Sequence, residues 1–219
     1  MLRAVNTFAF IVPVPAAALD LLTRGGVVMW PLLALSVLGV TLVLERAWFF
    51  ARTGGVGGAR RFMRLSAALR GGNPDEARRL AEADGTVYGA AVRHLLTAGP
   101  TAATEAIELQ RPRVERFLPT LSTIITAAPM LGILGTVLGI IASFAVLGDT
   151  SAPPDPAAVG AGIGQALLTT AAGLVVALVV LLPYNLFRVQ VDRTLGRLEL
   201  LAEAAGGEPR KTTNVPAGD

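Results

Sequence analysis

Three stretches of this chain, 25–44, 117–148 and 156–187, contain no charged residue. A helix rises about 1.5 Å per residue, so roughly 20 apolar residues cross the ~30 Å hydrocarbon layer of a bilayer, and each stretch is long enough. The composition agrees: 53% of residues are hydrophobic and 16% charged, and the mean hydropathy is +0.58, whereas soluble domains carry about a quarter charged residues. Three transmembrane helices are predicted, over 25–50, 119–148 and 157–187. The second and third uncharged stretches would each be ~48 Å long as helix, more than the hydrocarbon layer needs, so these helices are expected to project from the membrane into a helical part outside it.

The loops differ in charge. Segment 51–116 holds eleven Arg and Lys, the chain from 188 onward holds five, and 149–155 holds none. Positive residues stay on the cytoplasmic side. This predicts a periplasmic N-terminus, a cytoplasmic helical domain over 51–118, a periplasmic turn over 149–156 ("DTSAPPDP"), and a cytoplasmic helix extension with a mobile, Gly- and Pro-rich tail over 188–219. Residues 1–24 have the small and apolar character of a signal peptide, but Pro13 and Pro15 interrupt the run, which favours an amphipathic helix lying at the periplasmic interface.

Inside the cytoplasmic segment, "GGNPDEARRLAEA" places Asn73 as an N-cap, Pro74 at the first helical position, and Asp75 and Glu76 at the positive end of the helix dipole. A second helix is expected from Val87 to Thr97. A third is expected to start near Thr101 and to run through Pro112 and Pro119 into the second span. The arginines read as a solvated face, with an anionic lipid surface as their other partner class.

Several functions are excluded or disfavoured. The chain has no cysteine, so neither disulfides nor thiolate metal sites can form. The single histidine, His94, has no ligand partners of the usual kind and reads as a solvated helix residue. A net charge of +3 without stacking aromatics argues against nucleic acid. The spans offer no nucleophile–base pair for an enzyme. No metal or other cofactor is expected.

The spans are not alike. The first, "VVMWPLLALSVLGVTLVLERAWFF", is Leu and Val between Trp30 and Trp48, with Glu45-Arg46 at its cytoplasmic exit, and suits the lipid-facing periphery. The second, "APMLGILGTVLGIIASF", repeats glycine at Gly132, Gly135 and Gly139, spacings of three and four that let another backbone approach. Thr136 and Ser143 lie in line on the same helix. In the third, "GIGQALLTTAAGLVVALVVLLPYN", Gln165 and Thr169 share a face extended by Gly162 and Gly173, and Thr170 lies about 100° further round. Polar groups at this depth either line a water-filled path or serve as glue, each hydroxyl bonding its own i−4 carbonyl and the amide bonding a neighbouring helix. Composition alone leaves both open.

The second block, followed after a proline-rich turn by the third, resembles the MotA/TolQ/ExbB proton-channel family in its ExbB/TolQ-like branch, and the first span looks like that family's first span. The resemblance covers most of 25–190. It implies an all-α membrane protein that assembles as a homopentamer in the bacterial inner membrane, with the second and third helices around a central pore. It also implies a dimer of an ExbD/TolR-like single-span partner in that pore, and transduction of the proton motive force into mechanical work on a TonB- or TolA-like envelope protein. Thr136 and Thr170 match the family's pore threonines, with Gln165, Thr169 and Ser143 as further candidates for the ion pathway. Gly132, Gly135, Gly139 and Gly173 are the candidate packing residues, and Tyr184-Asn185 matches the usual cytoplasmic end of the third span. Many ExbB-type members have glutamate where this chain has Gln165. A neutral amide cannot carry a proton, so the ionisable group is expected from an aspartate of the partner. Hydroxyl and amide oxygens suit H+ by a water chain and do not exclude Na+. The competing reading is a non-conducting scaffold or assembly protein of the same fold.

Overall fold

The computed structural model describes residues 26–54, 56–147 and 156–206. The predicted interfacial helix over 1–24, the turn over 149–155 and the tail beyond 206 lie outside the described residues. All regular structure among these residues is helical: α1 (Met29–Thr53), α2 (Val56–Arg70), α3 (Pro74–Ala83), α4 (Val87–Ala98), a 3-10 turn (Pro100–Ala102), α5 (Ala103–Glu108), α6 (Arg111–Val114), α7 (Leu118–Leu147) and α8 (Pro156–Ala204). Three of them, α1, α7 and α8, are long and apolar enough to cross a membrane, and the chain is a multi-pass membrane protein. At 49 residues, α8 is ~73 Å long.

Local chemistry sets the boundaries. The Asn73 side chain accepts from the Glu76 amide at 3.2 Å, with Pro74 directly behind it, so α3 starts at its capped asparagine. Because Asn73 is exposed and its role is this one cap, Asn73→Ala is expected to cost about 1 kcal/mol in thermal unfolding of the detergent-solubilised protein. Thr86 caps α4 by accepting from the Tyr88 amide, and Gly99, at φ +86°, ends it in a conformation that favours glycine.

The expected continuous helix from Thr101 into the second span does not form. The chain instead passes through α5 and α6 and then through Phe117 in the left-handed region at φ +64° before α7 begins. Proline has no N–H and its ring disfavours helical conformation in the preceding residue. Pro112 and Pro119 therefore sit in the first turns of α6 and α7, where no amide bond is lost. Pro129 and Pro183 do lie inside α7 and α8.

Two compact units divide the chain. One contains residues up to Thr41 together with Leu121–Leu182. Its core is Val28, Met29 and Leu32 of the α1 end against Ala128 of α7 and Ala177 of α8, flanked by Leu33, Leu35, Leu131, Ala172 and Val176. Gly39 lies directly against Val180 and Ile124. Large apolar side chains such as Met130, Ile133, Phe144, Leu167 and Leu174 remain more than half exposed, a surface that lipid or further protein covers. The other unit contains Leu42–Thr120 and the chain from Pro183 onward. Its interior is built on Leu65, Ala77, Ala81, Tyr88, Val92 and Leu95, closed by Leu198 and Leu201. Arg197 donates to the Tyr88 hydroxyl at 3.3 Å and lies over the Phe62 ring.

Candidate ion-pathway site on α7 and α8

Small residues bring α7 and α8 into backbone contact. Along α7 the facing positions are Ala128, Gly132, Gly135, Gly139 and Ser143; along α8 they are Gly173, Thr169, Ala166 and Gly162. The numbers fall on one helix as they rise on the other, so the helices are antiparallel. A Cβ added at Gly173 would sit 2.5 Å from the Ala128 carbonyl oxygen, and one at Gly139 would sit 2.6 Å from the Ala166 methyl. Without side chains at these positions the two backbones approach closely, and the gain is dispersion and close packing rather than water exclusion.

The five polar candidates fall in three places. Thr169 and Ser143 are buried within the seam, 1% and 4% exposed. Each hydroxyl donates within its own helix, Thr169 to the Ala166 carbonyl at 2.7 Å and Ser143 to the Gly139 carbonyl at 2.9 Å. Thr136 and Thr170 border the seam on one side and are half-buried. Their hydroxyls meet each other across the two helices, and both reach the Gly132 carbonyl at 3.0 Å. Gln165 lies on the other flank, exposed, with its amide against Gly26 just before α1. Spacing alone groups Gln165 with Thr169 and sets Thr170 apart. The structure pairs Thr170 with Thr136 because a helix that buries Gly162, Ala166, Thr169 and Gly173 against a neighbour carries residues 165 and 170 to opposite edges of that contact. Tyr184 is half-buried and Asn185 exposed.

The Thr136–Thr170 pair has definite chemistry. Each hydroxyl has one proton to donate and two acceptor positions, and the Gly132 carbonyl offers an acceptor shared by both. The protons can be redistributed by rotating O–H bonds, leaving an oxygen free to accept from water or to face a cation. Neither hydroxyl titrates, and residues 117–148 and 156–187 contain no Asp, Glu, His, Lys or Arg, so at the level of this pair the chain can hold and orient a proton carrier but supplies no carboxylate, imidazole or amine of its own. Among the described residues, no group of three or more His, Cys, Asp or Glu could hold a metal ion.

A further residue, which sequence reading treats only as the marker of a span's end, organises the other unit. Arg46 is 1% exposed, the largest fully buried side chain among the described residues. Its Nε and Nη2 donate to both Glu45 carboxylate oxygens at 2.6 and 2.9 Å. Its Nη1 donates to the carbonyls of Arg113 and Val114 at 3.2 and 3.4 Å. The guanidinium also lies over the rings of Phe49 and Phe117. It thus closes the end of α6 beside the left-handed turn that begins α7. The available signal is a charged pair at the close of an apolar run, followed by "AWFF". Nearby, Arg111 bridges Glu108 and Glu115, and the Glu108 carboxylate raises the arginine above its ordinary value. His94, expected to be solvated, is instead partly covered, with Nε2 3.7 Å from a Glu105 carboxylate oxygen.

Comparison with known proteins agrees with this architecture. The model of the MotA/TolQ/ExbB proton channel family matches residues 85–200. The biopolymer transport protein ExbB-like 1 of Synechocystis is 38% identical over 87% of this chain and 76% of its own length. Protein exbB1 of Vibrio cholerae is 32% identical over 80% of each. The Tol-Pal system protein TolQ of Pseudomonas aeruginosa is 36% identical over 45% of this chain and 42% of its own. With a family model covering more than half the chain, and relatives of this similarity aligned across most of it, the protein belongs to the MotA/TolQ/ExbB proton channel family, in its ExbB/TolQ branch.

Proposed function

We propose that this chain is the channel-forming subunit of an ion-driven machine in the inner, cytoplasmic membrane. Five copies surround a dimer of an ExbD/TolR-like single-span protein, and proton flow through the complex does work on a TonB- or TolA-like envelope protein. The eleven Arg and Lys of 51–116 support a cytoplasmic location for that segment and for the C-terminus, with the N-terminus periplasmic. Family membership supports the channel role, and "biopolymer transport" in the relatives' names supports the work it drives.

The observation that carries the reading on this chain is the Thr136–Thr170 hydroxyl pair on two adjacent apolar helices. In the proposed complex an aspartate of the partner takes up and releases the proton, and the two hydroxyls donate to its carboxylate or accept from its protonated form. One charge crossing 100 mV supplies about 2.3 kcal/mol, enough to bias such a cycle.

Thr136→Val and Thr170→Val keep side-chain shape and remove the hydroxyl. In proteoliposomes containing this chain with its partner, each is expected to reduce proton flux roughly tenfold or more, corresponding to ~1.4 kcal/mol in the barrier, with assembly intact. Unchanged flux in both variants would remove the pair from the pathway. Gln165, a neutral residue where related channels often carry glutamate, favours the second reading, a non-conducting scaffold. A correctly assembled wild-type complex that passes no ion under an imposed gradient would select it.

A further inference from the structure

Two helices of the unit formed by Leu42–Thr120 and the chain from Pro183 carry charge stripes of opposite sign that do not meet within the protomer. On α8, Asp192, Glu199 and Glu203 are exposed and seven and four residues apart, which places them within about 40° of one another round the helix. On α2, Arg60 and Arg64 are exposed, one turn apart and each about 160° round the helix from Phe62, and α2 contains no acidic residue. None of these five side chains forms an ion pair with another described residue, although Arg64 borders a shallow groove shared with Asn73 and Glu76.

Their heights correspond. Gly54, just before α2, lies against Gln190, and Phe62 lies against Arg197, so α2 runs beside α8 in the same direction. At ~1.5 Å per residue, Arg64 is level with Glu199, and Arg60 falls between Asp192 and Glu199. Exposed apolar residues follow the same levels: Met63 on α2 is 59% exposed and Leu200 on α8 is 43%. Within one protomer the arginines face away from α8, because α2 meets α8 through its Phe62 side. In a closed ring of transmembrane subunits the symmetry axis runs along the membrane normal, and rotation about it changes no residue's height. For an α8 that runs parallel to that axis, stripes that match in level within one copy also match between neighbouring copies.

We propose that the basic stripe of α2, with Met63, docks on the acidic stripe of α8, with Leu200, in the adjacent copy of this chain. The proposal rests on the oligomeric reading above. This contact would give the ring a direction, α2 of each copy on α8 of the next, and would fasten its cytoplasmic part independently of the membrane helices. Charge pairs of this kind set register and partner choice more than affinity.

The chain has no cysteine, so a paired variant can be tested directly. Arg64→Cys combined with Glu199→Cys, purified as the full chain in mild detergent and treated with a short bismaleimide, is expected to give a ladder of covalent multimers up to the whole ring. Neither single variant should give one. Native mass spectrometry of the same sample reports assembly separately. A ring without a ladder would overturn this contact and leave the proposed function standing, whereas a sample with no ring would overturn both. As a second measurement, Arg64→Glu and Glu199→Arg should each loosen the ring on dilution, and the two together should restore it. Failure of the double exchange to restore it would also overturn the pairing.

Discussion

Arg46→Met is expected to lower the stability of the detergent-solubilised protein by about 3 kcal/mol, visible as a fall of several degrees in its unfolding midpoint. Methionine fills much of the space left by the arginine stem, so the effect isolates the lost charge and its bonds. The guanidinium is 1% exposed and holds the Arg113 and Val114 carbonyls. Removing it leaves those acceptors without a donor, and buried unsatisfied groups cost about 1–3 kcal/mol each. The loss stays below the ~5 kcal/mol limit for breaking a buried ion pair because the Glu45 side chain is 40% exposed and can turn to water. Since the two carbonyls belong to the segment immediately before α7, the variant should also raise hydrogen exchange at residues 113–118. A midpoint within a degree of wild type would show that the pair is ornamental.

Gly173→Leu is expected to separate α7 from α8. The new Cβ would lie 2.5 Å from the Ala128 carbonyl oxygen and 3.1 Å from the Gly132 Cα. Both are backbone atoms inside α7 and cannot rotate aside as a side chain would, so the cost falls at or above the upper end of ordinary overpacking, about 3 kcal/mol. The Thr136–Thr170 contact should be lost with it, and ion flux should fall even though both hydroxyls remain. Gly196, in the same helix, has open space where its Cβ would stand. There Gly196→Ala is expected to stabilise by about 0.5–1 kcal/mol, through the conformational freedom that alanine lacks in the unfolded chain. Thermal unfolding of the two variants side by side separates a glycine needed for contact from one that is not. Equal shifts of the same sign would contradict the seam.

Much of the helix plan is legible from local chemistry. Each uncharged stretch falls mainly within one of α1, α7 and α8, and the Asn73–Pro74 start of α3 is visible in four consecutive residues. The interrupted approach to α7 is less legible. Pro112 and Pro119 are compatible with a kinked helix or with new starts, and the deciding feature, Phe117 at positive φ beneath the Arg46 guanidinium, depends on residues about 70 positions apart. The candidate site shows the same division. Glycine spacing identifies a face of α7 that admits another helix, but Thr136 and Thr170 are 34 positions apart, and no periodicity states which residue of α8 arrives opposite Gly132.

What the sequence by itself determined is the solvent each segment prefers, where helices start, and which channel family the chain resembles. These follow from transfer free energies, capping and short motifs, all of which act over a few residues. Only the tertiary structure decided that Thr169 and Ser143 are buried in a seam, that Thr136 and Thr170 share a carbonyl at its edge, and that Gln165 lies on the far flank. The physical reason is that the rotation and axial register of one helix on another are set by the mutual fit of both surfaces, and a pattern read along one helix contains only half of that fit.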